Sequence, residues 1–182
     1  MEKIKWGIIG PGNIANNFAD GLKGSYSGQL VSIASKSEDR RKNFGDKYDI
    51  HPDFRFDSYE DIINSEHIDA IYISTPHTLH AQWTIKAAGK GKHILCEKPG
   101  AINFNEGKKI IDAVREAGVF YMEGFMYRCH PQIPKLVEII KNKIIGDVIS
   151  VETSFGFDMG KTIPDHRLFN KNLAGGGILD VG

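Results

Sequence analysis

The stretch "KWGIIGPGNIANNFADGL" at residues 5–22 limits what this chain can fold into more than any other. An apolar run stops at Gly10, a Gly-Pro-Gly turn follows, and Ile14, Ala15, Phe18, Ala19 and Leu22 then recur at helical spacing. Strand, tight turn and helix in that order fit the pattern G-x-G-x-x-G/A over Gly10 to Ala15. In this pattern the first glycine permits the turn and the second, Gly12, lets the backbone approach a pyrophosphate. Small Ala15 allows close packing of helix on sheet, and the helix start at Asn13 and Ile14 faces the phosphates. A plain Gly-Pro-Gly turn would look the same out of context. Its place between a first strand and a first helix is what makes it a nucleotide-binding candidate.

The alternation continues. "QLVSIAS" reads as a strand, "SEDRRKNFGDKY" and "YEDIINS" as helices, "DAIYISTP" as a strand and "HTLHAQWTIKAAGKG" as a helix closed by glycine. "KHILCEKP", "NFNEGKKIIDAVREAG" and "VFYMEGFM" repeat strand, helix, strand. Apolar strands alternating with amphipathic helices predict an α/β domain over residues 1–124, a Rossmann doubly wound parallel sheet covered on both faces. Near residue 124 the pattern changes. "PQIPKLVEIIKNKIIG" is a Pro-started amphipathic helix, and "DVISVETSFGF" is a longer, partly alternating strand of the antiparallel kind. Residues 125–182 are therefore expected to begin an incomplete α+β domain, since 182 residues suit one full core plus part of a second.

Charge and cysteine content exclude several functions. Lys+Arg and Asp+Glu are both 23, so no net field draws the chain to nucleic acid or an anionic membrane. Cys96 and Cys129 form no C-x-x-C pair, which argues against a metal site and a disulfide scaffold. The start lacks a secretory pattern and nowhere do about 18 apolar residues run together, so a soluble cytoplasmic protein is expected.

Three further stretches carry chemistry. Where the second strand ends, an NAD-binding domain places a carboxylate for the ribose; here stand Ser35, Lys36 and Ser37, with Arg40 one turn on. Cations and hydroxyls suit a 2′-phosphate, so NADP is favoured over NAD, unless Lys36 is only a solvated lysine and Glu38 or Asp39 serves the ribose. "STPHTLH" follows a strand at the end where ligands gather, so Thr75, Pro76 and His77 are cofactor candidates; His80, a turn further, is either another or simply a helix residue. "CEKPG" ends a strand at the same side. Lys98, with Glu97 beside it, could polarise a carbonyl or receive an alcohol proton, although a Lys-Glu pair before proline is also an ordinary strand ending.

The segments "GIIGPGNIA", "STPHTLHA", "HILCEKP", "MEGFMYRCHPQ" and "LAGGGILDVG", in this order, resemble the Gfo/Idh/MocA oxidoreductases over nearly the whole chain. They look most like the branch with NADP-dependent D-xylose dehydrogenase and trans-1,2-dihydrobenzenediol dehydrogenase. The resemblance implies a Rossmann domain followed by an open antiparallel sheet whose exposed face commonly makes a homo-oligomer. It gives Lys98 a catalytic contact with substrate and nicotinamide, makes Asp180 its catalytic companion, and turns Arg128 and Arg167 to the cleft. His77 stands where the family usually has asparagine. The His or Tyr expected four residues beyond Asp180 would share its helix face, but the sequence stops at Gly182, so the chain is expected to be the N-terminal half of a longer enzyme. The expected activity is hydride transfer between NADP and the CH–OH group of a sugar, polyol or cyclic diol, as in a D-xylose-type aldose dehydrogenase. The alternative is a dinucleotide-binding sensor or regulatory module without turnover, which would need neither Lys98 nor Asp180.

Overall fold

Strand β1 (Ile4–Ile9) sends Ile8 to one side and Ile9 to the other, and both are fully buried. Successive strand side chains alternate, so a strand apolar at both parities needs cover on both faces. The computed structural model, which describes residues 2–158, 160, 161, 163, 166 and 168–181, provides that cover. Helices α1 (Asn13–Lys23) and α2 (Glu38–Lys47) lie on one face; α3 (Tyr59–Asn64), α4 (His80–Ala88) and α5 (Phe104–Ala117) lie on the other. Ile8, Ala15, Ala19, Ile33, Phe44 and Tyr72 form the first core layer. Ile9, Ile62, Ile71, Ile73, Ala87, Ile94 and Ile110 belong to the second.

The other strands are β2 (Gly28–Ala34), β3 (Arg55–Phe56), β4 (Ala70–Ile73), β5 (His93–Cys96) and β6 (Tyr121–Glu123). All pairings are parallel and the order is β3-β2-β1-β4-β5-β6. This is the expected doubly wound Rossmann sheet. Local chemistry sets the helix limits. Asn103 opens α5 by accepting a hydrogen bond from the Glu106 N–H at 3.0 Å, and Gly118 closes it with φ of 64°. Two-residue β3 has no apolar period to reveal it; the pairing of Ala34 with Phe56 creates it.

Beyond residue 124 the outcome differs. Helix α6 (Gln132–Lys141) forms as its pattern predicts, yet none of its residues is buried, and Leu136, Val137 and Ile140 are exposed. The antiparallel strand expected over 147–157 is not formed among the described residues. A strand is stabilised by the hydrogen bonds of a neighbour, and no described segment pairs with this one; Ile149, Val151 and Phe155 are largely exposed. A short helix, α7 (Gly177–Val181), follows. Among the described residues no helix is long and apolar enough to cross a membrane, and no group of three or more His, Cys, Asp or Glu could hold a metal ion.

Candidate nucleotide and substrate site

The chain runs from β1 outward to β3 and then returns to β4 on the other side of β1, so a crevice opens beyond the carboxyl ends of the two central strands. Gly10 occupies it with φ of +91°, and a Cβ there would sit 3.0 Å from the Ser74 carbonyl oxygen. Ser74 closes this approach, its hydroxyl donating to the Gly10 carbonyl at 2.8 Å. Gly12 is different. It precedes α1, no side chain caps that helix, and a Cβ on Gly12 would meet nothing within 4 Å. The first N–H groups of α1, from Asn13 and Ile14 on, therefore head an open space, an arrangement that suits an anion. Ala15 is fully buried against the sheet, as its small size requires.

At the end of β2, Ser35 is buried and Lys36, Ser37 and Arg40 are exposed. Ser37 caps α2 by accepting from the Arg40 N–H at 3.4 Å, and its own N–H donates to the Ser35 hydroxyl at 3.3 Å. Arg41 locks the turn from below through a 2.7 Å hydrogen bond to the Ser35 carbonyl. The serines thus shape a turn that presents two cations, with Glu38 and Asp39 also in the first turn of α2.

At the end of β4, Pro76 is exposed while Thr75 and His77 are buried. Thr75 Oγ1 is buried without a hydrogen-bond partner among the described residues. His77 Nδ1 lies 3.4 Å from the Ala174 carbonyl, tying the segment before α7 to the Rossmann domain. His80 lies below the cleft rather than in it. It is fully buried, with Nδ1 2.7 Å from the Pro99 carbonyl and Nε2 2.8 Å from the Thr75 carbonyl, so neither nitrogen is offered to a cofactor.

At the end of β5, Lys98 Nζ donates to Asp180 Oδ1 at 2.7 Å and to its backbone carbonyl at 2.6 Å. Their side chains are 28% and 10% exposed, so the pair is largely shielded without being sealed from solvent. Glu97 takes the Tyr72 hydroxyl as donor. Burial first, and then this carboxylate, push the Tyr72 phenol above its ordinary range. Tyr72 stacks on Phe18 with ring centroids 4.1 Å apart, and both line an apolar cleft of about 340 Å³ with Ile14, Leu95, Glu97 and Met126. Arg128 is exposed on a single 3-10 turn beside this cleft. Arg167 lies outside the described residues.

The sequence reading missed Ser74, Arg41, Tyr72 and Glu123, whose Oε1 accepts from the Gly100 N–H at 2.7 Å. Ser74 directly precedes Thr75 and is the natural neighbour of Gly10 once β1 and β4 pair, so strand order would have found it. Glu123 becomes visible only when β6 pairs with β5, which sets it opposite Cys96.

A turn whose first glycine tolerates no side chain, an uncapped helix start and a crevice at the strand-order reversal define a dinucleotide-binding Rossmann domain. The chain belongs to the Gfo/Idh/MocA oxidoreductases: the model of that family, described as an oxidoreductase family with an NAD-binding Rossmann fold, matches residues 4–125. It is 34% identical over 181 residues to trans-1,2-dihydrobenzene-1,2-diol dehydrogenase of Mus musculus, covering 98% of this chain and 53% of that protein. It is also 34% identical over 179 residues to D-xylose 1-dehydrogenase (NADP(+)) 2 of Haloferax volcanii, covering 98% and 54%. The crystal structure of aldose-aldose oxidoreductase from Caulobacter crescentus, complexed with glycerol, superposes with a TM-score of 0.90 at 28% identity, over 98% of this chain and 54% of that one. The chain thus spans about half the length of the relatives it matches.

Proposed function

We propose that this chain carries the nucleotide site and part of the catalytic site of an NADP-dependent oxidoreductase acting on the CH–OH group of a sugar, polyol or cyclic diol. The observation that carries this reading is the meeting of Lys98 and Asp180, 82 residues apart in sequence, at the rim where the glycine turn also lies. A sensor that only binds a dinucleotide needs no such pair. The similarity to a diol dehydrogenase and to a xylose dehydrogenase favours the same substrate class.

The residues present fit a dinucleotide. Gly12 leaves the α1 N–H groups approachable, and the orphaned Thr75 hydroxyl supplies a buried polar group at the same crevice. When bound, the nicotinamide supplies or accepts the hydride. The protein's share is charge and orientation. Lys98 carries three N–H donors as an ammonium, and two are directed at Asp180. The third can face a substrate oxygen, polarise it as a carbonyl and give it a proton as it becomes an alcohol. The reverse direction returns that proton to Nζ. Asp180 fixes the direction of the ammonium.

Lys36 and Arg40, exposed on the turn after β2, favour a 2′-phosphate and hence NADP. Fluorescence titration of the 182-residue chain tests this. NADPH should bind more tightly than NADH, by roughly 10-fold or more for a charge-assisted phosphate contact, and Lys36→Asp should reverse the order. Equal affinities in both proteins would remove the NADP assignment.

A further inference from the structure

One peptide unit beside Lys98 is held at both of its polar ends. The Pro99 carbonyl oxygen lies 2.7 Å from His80 Nδ1, and the Gly100 N–H donates to Glu123 Oε1 at 2.7 Å. These two backbone groups belong to the same planar amide, so holding both fixes the rotation of the whole plane. Proline adds its own restriction by fixing φ at position 99. The geometry points to His80 and Glu123 as positioning residues that set the direction of Lys98 by clamping the Pro99–Gly100 amide between three strands.

The clamp has firm anchors. His80 is fully buried at the start of α4, and its other nitrogen lies 2.8 Å from the Thr75 carbonyl, so one ring spans the loops after β4 and β5. Glu123 ends β6 opposite Cys96, and the next N–H, from Gly124, donates to the Cys96 carbonyl at 2.7 Å. The Glu123 backbone is thereby tied to the strand that delivers Lys98. Gly100 is buried under the Tyr121 hydroxyl, where a side chain would collide. Burial pushes the Tyr121 phenol above its ordinary range, so it stays a neutral lid over the clamped amide. Among the described residues the Lys98 ammonium bonds to Asp180, while His80 and Glu123 reach the backbone just after Lys98 and act on it from there. Displacement of this amide would carry Pro99 with it and move the peptide that bears Lys98 away from Asp180, whose oxygens lie only 2.6 and 2.7 Å from Nζ.

This inference rests on the reading of Lys98 as the group that meets substrate, but it can be tested on Lys98 itself. Three single variants of the whole chain are compared with the parent: Glu123→Gln keeps an oxygen acceptor, Glu123→Met keeps the length without one, and His80→Phe removes the other anchor. Two quantities are read without cofactor or substrate: hydrogen exchange of the Gly100 amide and competitive acylation of Lys98, with Lys108 as the control lysine. In the parent the Gly100 amide should exchange far more slowly than in a free peptide. Glu123→Met should raise that exchange by roughly 10- to 100-fold, the range for a lost hydrogen bond to a charged acceptor. The same variant should speed Lys98 acylation severalfold and leave Lys108 unchanged. Glu123→Gln should stay near the parent, and His80→Phe should reproduce the acylation effect. Parental Gly100 exchange at the free-peptide rate overturns the clamp, whether or not any variant folds. Unchanged Lys98 acylation in folded Glu123→Met or His80→Phe overturns it too, as does an equal change at Lys108. NADPH titration of the parent is run alongside. Absent binding with an intact Lys98 response sinks the oxidoreductase reading and spares the clamp, and the opposite pair of results does the reverse.

Discussion

Gly10 and Gly12 are two residues apart, yet alanine should damage them in different ways. Gly10 has φ of +91°, so alanine there takes on a conformational cost of about 1–3 kcal/mol. Its Cβ would also sit 3.0 Å from the Ser74 carbonyl oxygen and 3.1 Å from its carbon, and backbone cannot swing aside as a side-chain tip can. Shifting Ser74 loosens its 2.8 Å hydrogen bond to the Gly10 carbonyl, worth about 1 kcal/mol. The entropy removed from the unfolded chain offsets roughly 0.4–1 kcal/mol of this. The net loss should be about 2–3 kcal/mol, which for a domain of this size lowers Tm by roughly 4–12 °C. Gly12 has an extended backbone at the start of α1, and its added Cβ meets nothing within 4 Å. Alanine is a poorer residue at that position by about 0.5–1 kcal/mol, which the same entropic gain nearly cancels. Gly12→Ala should therefore melt within about 2 °C of the parent yet bind NADPH at least 10-fold more weakly, because its methyl group fills the space over the helix N–H groups. Urea and thermal unfolding, with NADPH titration of both variants, decide the matter. A Gly12→Ala protein with unchanged affinity would refute the placing of the phosphates there, and a Gly10→Ala protein of parental stability would refute the close approach to Ser74.

Exposed Cys129 should react rapidly with an aromatic disulfide reagent at pH 8, while Cys96, fully buried, should react only as the protein unfolds. Burial pushes the Cys96 thiol from 9.0 up to about 12, so above pH 9 the unfolded chain loses a proton that the folded chain keeps. Stability should then fall by about 1.4 kcal/mol per pH unit from this group, and urea titrations at pH 9 and 10 should show a shallower fall in Cys96→Ala. Lys92 is buried and donates to the Ser65 and Ile68 carbonyls at 2.6 and 2.7 Å. Lys92→Met leaves both carbonyls unpaired and should destabilise the chain by about 1–3 kcal/mol in urea unfolding, with NADPH affinity unchanged.

Most of the Rossmann domain was legible because its strands are short apolar runs punctuated by Gly, Pro and capping residues. Ile8 and Ile9, or Ile71, Tyr72 and Ile73, admit no one-sided sheet. In the candidate site, placement was legible wherever it follows from a residue's own chain position: Gly10 in its turn, Ala15 packed against the sheet, Lys98 at a strand end. It was illegible wherever a role depends on pairing across strands. Nothing around Glu123 hints that its carboxylate meets the N–H of Gly100, because β5 and β6 must first lie side by side. His80 misled for a related reason: a histidine at the ligand end of a strand looks like a ligand, yet its two nitrogens are directed at carbonyls beneath the cleft. The strand expected over 147–157 failed because alternation describes a face to be covered and does not provide the neighbour.

The strand order also has a consequence for synthesis. β1 leaves the ribosome before every other strand, but it lies at the centre of the sheet, with β2 on one side and β4 on the other. The Lys5 N–H is joined to the Asp69 carboxylate, 64 residues later in the chain. At the usual pace of translation that interval lasts about 3–13 s. For those seconds the growing polypeptide can offer only β1, β2 and their helices, and one long side of β1 waits with its amides unpaired. A nascent chain of this topology is therefore most exposed to mispairing in the interval between the synthesis of β1 and that of β4, and chaperone contact there should fall away once residues 70–73 have emerged.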